Sequence, residues 1–255
     1  MGTSFKPGFT IIETLLFLSI TGLLIVGVLA GTGTSINTQR YHDSVTTLKS
    51  SIQDLYSETT NVRNEDRTTP ISCDTNAQTS ESTGTTVPRG QSPCVILGTY
   101  MTIAATDITT NTVIGFNSSS SSYPSDIDEL KAYKMSLLPT SKATSTMEWG
   151  TQIAWPVSGS GSRTPSTPRT ISILVLRSPT SGLVYTFTSD SIVTDVSSLI
   201  IPGVANAGAG QSQRRICVNS SGLGQGGSAV LINAYAATAS AVEQRSNDMG
   251  DASVC

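Results

Sequence analysis

The sequence is poor in the residues on which most enzyme active sites and metal sites depend. Histidine occurs once in 255 residues, as His42, so a Ser-His-Asp triad has a single position from which to take its base. Four cysteines are present without a CxxC pair, and their wide spacing does not match the ligand spacing of zinc sites. The acidic run at 126–129 lacks the spacing of a calcium-binding EF-hand loop. We therefore expect no enzyme activity, no metal and no cofactor.

Charged residues are also scarce, at 13% of the chain against about a quarter in ordinary globular proteins. Serine, threonine and glycine are abundant instead, and a surface of hydroxyl groups suits an exported protein. The net charge of −3 provides no overall positive field that would attract nucleic acid. All four cysteines come after the apolar N-terminal run, which agrees with an oxidising exterior.

That apolar run extends from Phe9 to about Ala30, and Glu13 is its only charged residue. As a helix rising about 1.5 Å per residue it would reach about 33 Å, enough to cross a bilayer core. Its hydroxyl groups can bond back to the helix, so the segment can insert. A lone carboxylate in such a segment costs free energy and is by default a functional hypothesis. Lys6, on the N-terminal side, agrees with a cytoplasmic N-terminus.

The order Lys6-Pro7-Gly8-Phe9-Thr10-Ile11-Ile12-Glu13 resembles the start of type IV pilins and type II secretion pseudopilins. In that family a membrane peptidase cuts after the glycine and methylates the new N-terminal residue. The resemblance implies cleavage between Gly8 and Phe9, N-methylation of Phe9, and an assembly role for Glu13. The partner of Glu13 would be the charged amine of Phe9, on the same chain or on a neighbouring subunit. A conventional secretory signal fits less well, because no small-x-small cleavage site follows the run.

Beyond Gly31 the pattern becomes amphipathic. Apolar residues recur at three- and four-residue steps and so share one helical face: Tyr41, Val45, Leu48, Ile52 and Leu55. The opposite face is charged, and we expect His42 to be solvated there. The predicted organisation is a leader at 1–8, a transmembrane and filament-core helix at 9–30, an amphipathic continuation at 31–62, and an extracytoplasmic β-rich head at 63–255.

The head is predicted to be an antiparallel sheet. Strand-like runs occupy 95–103, 131–138, 170–176, 183–187, 214–218 and 229–234. The polar stretch 63–93 is predicted to be a long loop, and the Ser/Thr-rich stretches 117–125 and 158–168 to be exposed loops. Pro-Thr-Ser-Gly at 179–182 predicts a hairpin turn. The fold class is therefore α+β and pilin-like, with a long N-terminal helix packed on the sheet.

Residues 214–222 and 229–232 resemble the closing hairpin of H-type minor pseudopilins and of minor pilins linked to DNA uptake. With the length of the chain, this favours a minor subunit over a major one. Among the three possible disulfide pairings we favour Cys73 with Cys94 and Cys217 with Cys255. Cysteines that neighbour each other in sequence pair more readily, and pilins often pin their C-terminal region in this way.

The sequence thus predicts a structural subunit, a minor pilin of a type IV pilus or related filament. Its partners would be the prepilin peptidase, other pilin subunits and, before assembly, the inner membrane; after assembly it would lie in a surface pilus. One alternative is a secretion pseudopilin. The other is a DNA-binding minor pilin, in which Arg214 and Arg215, with Arg163, Arg169 and Arg177, form a basic patch. We favour scattered, solvated arginines over such a patch.

Overall fold

A single helix, α1, runs without interruption from Ile11 to Thr60. The computed structural model describes residues 10–61, 71–81, 92–119, 122–157, 165–200, 212–223, 227–246 and 255. The predicted cleavage point at Gly8 and Phe9 lies outside the described residues, as do the predicted leader and Arg163. The predicted continuous helix is confirmed from Ile11 onward.

Both ends of α1 are capped. The Thr10 hydroxyl accepts a hydrogen bond from the Glu13 backbone N–H at 3.3 Å, which satisfies one of the orphan donors of the first turn. At the other end the Asn61 N–H donates to the Ser57 carbonyl at 2.8 Å. The Arg177 guanidinium donates to the Thr60 carbonyl at 3.4 Å, placing a cation at the negative end of the helix dipole.

The second half of α1 is the centre of the fold. The apolar stripe predicted from periodicity is confirmed, because all five of its residues are buried, and Tyr56 is buried with them. The first half is different: from Thr10 to Gln39 the described side chains are exposed, apart from the half-buried Thr21 and Asn37.

The described part of the chain contains a second helix and twelve strands. Helix α2 spans Asp126–Ala132. The strands are β1 Ile71–Cys73, β2 Thr79–Glu81, β3 Cys94–Ala104, β4 Asp107–Phe116, β5 Lys134–Leu137, β6 Ala143–Thr146, β7 Gln152–Ala154, β8 Thr170–Arg177, β9 Val184–Ser189, β10 Arg214–Asn219, β11 Ser228–Ile232 and β12 Val242–Ser246.

These strands form three antiparallel sheets. The large sheet has the order β5-β4-β3-β8-β9, with β6 also paired to β4. The second sheet has the order β12-β11-β10-β7, and β1 pairs with β2 in a small hairpin. The β8–β9 pairing runs through the predicted Pro-Thr-Ser-Gly turn, so this hairpin prediction is confirmed.

The helix packs between the inner faces of the two larger sheets. One core cluster joins the stripe of α1 to Met101 and Ile173 of the large sheet and to Val218 and Val230 of the second sheet. The outer face of the large sheet carries a second core, covered by α2 and by the 3-10 turn Val196–Leu199. Burying one such aliphatic side chain contributes about 1.5–3 kcal/mol, so α1 supplies a large share of the stability of the head.

Hydrogen bonds fix where the helix sits on the sheets. The buried Tyr41 hydroxyl donates to the Val218 carbonyl at 2.9 Å and accepts from the Ser228 N–H at 2.8 Å. It therefore bridges β10 and β11 at the end of their hairpin. Farther along α1, the Tyr56 hydroxyl accepts from the Thr186 hydroxyl at 3.0 Å, which ties the helix to β9. Because buried polar groups must be paired, these contacts specify one axial position for the helix.

Several sequence predictions were wrong in detail. The strand expected to begin at residue 131 starts at Lys134, because residues 126–132 form α2 behind the Ser125 cap. The loop expected at 63–93 contains β1 and β2, and one expected sheet is three. Strands β4, β6, β7 and β12 were not predicted. β4 is rich in threonine and the other three have at most five residues, so their hydrophobic signal is weak.

The dependence of the head on α1 can be tested at two isoleucines of the same helix. Ile52 is 0% exposed and Ile36 is 49% exposed. We expect Ile52→Ala to lower the free energy of unfolding by about 2–5 kcal/mol, because it leaves a cavity in the core. Ile36→Ala is the matched control and should change it by less than about 0.5 kcal/mol. Urea unfolding of both variants in detergent measures the difference, and equal effects would contradict the packing described.

Candidate functional site

The exposed half of α1 is the most unusual surface of the molecule. Every large apolar side chain from Ile11 to Leu29 is 52–80% exposed. Soluble monomeric proteins rarely leave more than a few hundred Å² of contiguous apolar surface uncovered. By length and composition this helix can cross a membrane, and no part of its most apolar window is buried in the head.

Polar groups in this segment are satisfied within the helix itself. The hydroxyls of Thr14, Ser19 and Thr21 donate to the backbone carbonyls of Ile11, Leu16 and Phe17, at 2.9, 2.9 and 2.6 Å. Such internal hydrogen bonds let a helix enter an apolar environment without unpaired donors. The segment is therefore suited to contact with lipid or with other apolar helices.

Glu13 is the exception to this internal pairing. It lies in the first turn of α1, where the positive end of the helix dipole favours an acidic side chain. Its side chain is exposed, and within the described ranges it forms no ion pair. Its predicted partner, the amine of Phe9, lies outside those ranges, so the assembly role of Glu13 stays a prediction.

The structure brings the four cysteines together in two pairs. Cys73 and Cys94 are joined with their Cα atoms 6.1 Å apart, and Cys217 and Cys255 with theirs 5.7 Å apart. Both separations are ordinary for disulfides. Cys217 is buried on β10, and the carbonyl of Cys255 accepts from the Val157 N–H at 2.9 Å. The C-terminal residue is thus held against the second sheet.

Arg214 and Arg215, the pair considered first for DNA binding, do not share one surface. Arg214 and Arg215 are successive residues of β10, and successive side chains of a strand point to opposite faces. The Arg214 guanidinium lies 3.5 Å from the Asp190 carboxylate and donates to the Thr188 hydroxyl at 2.9 Å. Much of its charge is therefore compensated within the head. Arg215 is exposed, and DNA contact by this pair stays a prediction.

Arg169 is a buried residue and not part of a solvated patch. Its guanidinium pairs with Asp190 and lies 4.3 Å from the centre of the Trp155 ring. Asp190 thus connects Arg169, just before β8, with Arg214 of β10. This network could not be predicted from the sequence, because its three charged members are scattered over some 45 residues and no local pattern links them.

Two carboxylates of α2 are bonded to hydroxyl groups of the β8–β9 hairpin. Buried Glu129 accepts from Ser178 at 2.7 Å and from Thr180 at 2.6 Å. Asp126 accepts from Ser181 at 2.6 Å and from Tyr185 at 2.8 Å. These hydrogen bonds attach α2 to the hairpin. Among the described residues no group of three or more His, Cys, Asp or Glu side chains is placed to hold a metal ion.

The same hydrogen bonds shift the pKa values of Asp126 and Tyr185. Donation from the Ser181 hydroxyl, and then from the Tyr185 hydroxyl, lowers the pKa of Asp126 below its usual range. Partial burial raises the pKa of the Tyr185 hydroxyl, and its hydrogen bond to Asp126 raises it further.

The remaining candidate, His42, is half-buried at the point where α1 enters the head. Its ring centre lies 6.0 Å from that of Tyr41, and its assignment as a solvated helix residue stays a prediction. Comparisons of the chain with protein-family models, with curated proteins and with solved structures gave no match.

The lowered pKa of Asp126 predicts a pH-dependent contribution to stability. Because its pKa in the folded state lies below the unfolded value of about 3.9, ionised Asp126 stabilises the head above about pH 4. This contribution is lost as the pH falls through the lowered folded-state pKa. We expect Asp126→Asn to lower the Tm at pH 7, and the difference from the unaltered protein to shrink towards pH 2.

Thermal unfolding across this pH range measures the effect. Ser181→Ala, which removes the main donor to Asp126, should show the same trend with a smaller amplitude. A Tm difference that stays constant from pH 7 to pH 2 would contradict the assignment.

Proposed function

We propose that this protein is a type IV pilin-like subunit, a minor pilin made as a single-pass membrane precursor and built into a filament through α1. The observation that carries the proposal is the uncovered apolar half of α1, projecting from a head that is packed around the other half. The residue order from Lys6 to Glu13, which resembles the processing sequence of that family, also supports the proposal.

The exposed apolar surface of α1 has to be covered from water, and this requirement supports the proposed function. Large apolar side chains along nineteen positions, 11–29, are exposed, and each side chain costs about 1.5–3 kcal/mol in water compared with an apolar environment. Lipid covers them in the precursor, with the N-terminus in the cytoplasm and the head outside. Helices of other subunits cover them in the filament. Lipid tails are as apolar as leucine, so moving the helix from lipid into the filament buries no further apolar surface from water. This move is driven instead by helix packing and by polar pairing.

Glu13 supplies the polar pairing. A carboxylate among apolar helices is unfavourable unless it meets a partner. Cleavage after Gly8 would create a charged amine at Phe9, only four residues away in sequence. In the filament the carboxylate of one subunit would pair with the amine of the next, and this pairing would set the axial register between the two helices.

The form of the head is compatible with this assignment. It is an α+β unit in which antiparallel sheets pack on the second half of the helix, as the resemblance implies for a pilin-like fold. Two disulfides close segments of 21 and 38 residues, which suits a protein that works outside the reducing cytoplasm. A role as a secretion pseudopilin requires the same helix, so the location of the processed protein has to distinguish the two.

The first test concerns the role of Glu13 in assembly. We expect Glu13→Ala to be cleaved normally and yet to be poorly incorporated into filaments. The variant leaves the amine without its partner, at a cost of about 3–5 kcal/mol for each subunit. Thr14→Val is the matched control, because the Thr14 hydroxyl bonds only to its own helix. Quantitative immunoblots of sheared filaments measure incorporation, and a normal amount of Glu13→Ala in them would refute the pairing.

The second test concerns processing. We expect the mature protein to begin with N-methylated Phe9, and Gly8→Val to retain the leader because the peptidase requires the glycine. Ser4→Ala, in the same leader, should be processed normally. Intact-mass measurement of each variant separates these outcomes, and an unaltered mature mass for Gly8→Val would rule out cleavage at this position.

The same mass spectrometry, applied to sheared surface fibres and to membranes, decides between the two filament types. Methylated Phe9 at low stoichiometry in the fibres is the expected result for a minor pilin. Processed protein confined to the membrane fraction would instead support the pseudopilin.

A further inference from the structure

An aromatic contact lies at the junction between the exposed and the packed halves of α1. This contact does little to bury either half of the helix. Among the helix residues whose burial is described, Tyr41 is the first to be buried in the head. Immediately before it, the Arg40 guanidinium lies over the ring of Trp149, 4.6 Å from the ring centre. We call this pair of side chains the neck contact. On the N-terminal side of it, the described helix residues are almost all exposed.

Trp149 occupies a backbone conformation that a large side chain adopts at a cost. Its φ of 57° and ψ of 21° lie in the left-handed region, which is strained for residues other than glycine, asparagine and aspartate. The indole gains little burial in exchange, since 53% of the residue is exposed. A strained residue of this kind persists only where its surroundings fix it, and it points to a function that needs it there.

The turn that presents Trp149 is fixed to the head from several sides. The Ser221 hydroxyl, from the β10–β11 turn, donates to the Gly150 carbonyl at 2.7 Å. Thr151 bonds through its N–H to the Glu148 carbonyl at 3.1 Å, and its hydroxyl meets that of Ser44 on α1. The indole is therefore a rigid extension of the head that reaches the last unburied turn of the helix.

We propose that the neck contact is a brace, which keeps α1 helical at the junction and so holds its exposed half in a fixed direction relative to the head. Without the neck contact, α1 would open first at its backbone hydrogen bonds around residues 37–43. Any force on the exposed segment 10–39 bends the helix at that point. Stacking of a guanidinium on an indole opposes that opening, since a helix that opens at Arg40 loses the stack.

The brace acts in water and not at the bilayer. From the end of the apolar run at residue 30 to Arg40, the helix rises about 15 Å. The headgroup layer extends only about 5–8 Å beyond the hydrocarbon core on each side. With the apolar run filling the core, Trp149 lies beyond the headgroups. The aromatic ring therefore serves the contact with Arg40 and is not an interfacial membrane anchor.

Hydrogen exchange of the full-length protein in detergent micelles tests the brace. Trp149→Ala and Arg40→Gln each remove one partner, and the double variant removes both. Trp149→Gly is included because glycine fits the left-handed backbone, so the ring is removed without strain. Tyr235→Ala is the matched control: Tyr235 is another exposed aromatic residue with a positive φ, of 56°, but it lies beyond β11 and outside the neck contact.

We expect amides 38–44 to exchange about two- to fivefold faster in each single variant, as the strength of an exposed cation–π contact implies. The double variant should exchange no faster than the faster single variant, because either change already abolishes the contact. Amides 48–56 and the Tyr235→Ala control should be unaffected. Unchanged exchange at 38–44, effects that multiply in the double variant, or equal acceleration at 48–56 would each overturn the proposal.

Discussion

The structure depends on one continuous helix whose two halves lie in different environments. The large apolar side chains of its first half are exposed, whereas its second half fills the space between two sheets. Neither sheet has an inner core without α1, because the inward side chains of both pack on the same stripe. The head therefore cannot release the second half of the helix and remain folded.

The transition between these environments takes place within a few residues. Tyr41 bonds to both strands of the β10–β11 hairpin, and Ser44 meets Thr151 of the adjoining turn. One turn earlier, the helix is in solvent. Polar anchors are well suited to such a boundary, because they define an axial position that apolar contacts alone leave free to slide.

The helix and its buried stripe could be predicted from the sequence, because the three- and four-residue spacing continues over four turns from Tyr41 to Leu55. Strands such as β8 were equally clear from their β-branched residues. Helix α2 was not, since its seven residues make only about two turns, too few for a hydrophobic period to be recognised. Arg169 could not be recognised as a buried charge paired with Asp190, because burial of a charge is decided by residues distant in sequence. The left-handed Trp149 likewise depends on a turn held by Ser221 and Ser44, far from it in the chain.

The charged residues of α1 are also unevenly distributed between its exposed and packed halves. Between Glu13 and Arg40 the sequence has no charged residue, a distance of about 40 Å along the helix. An uncharged helix surface of this length can slide or rotate against lipid or other helices without losing any specific contact. Register can therefore be set only at its two ends. Arg40 meets its partner within the same chain, at Trp149. In the filament we propose, Glu13, at the far end, is the residue left to specify how the helix is placed against a neighbouring subunit.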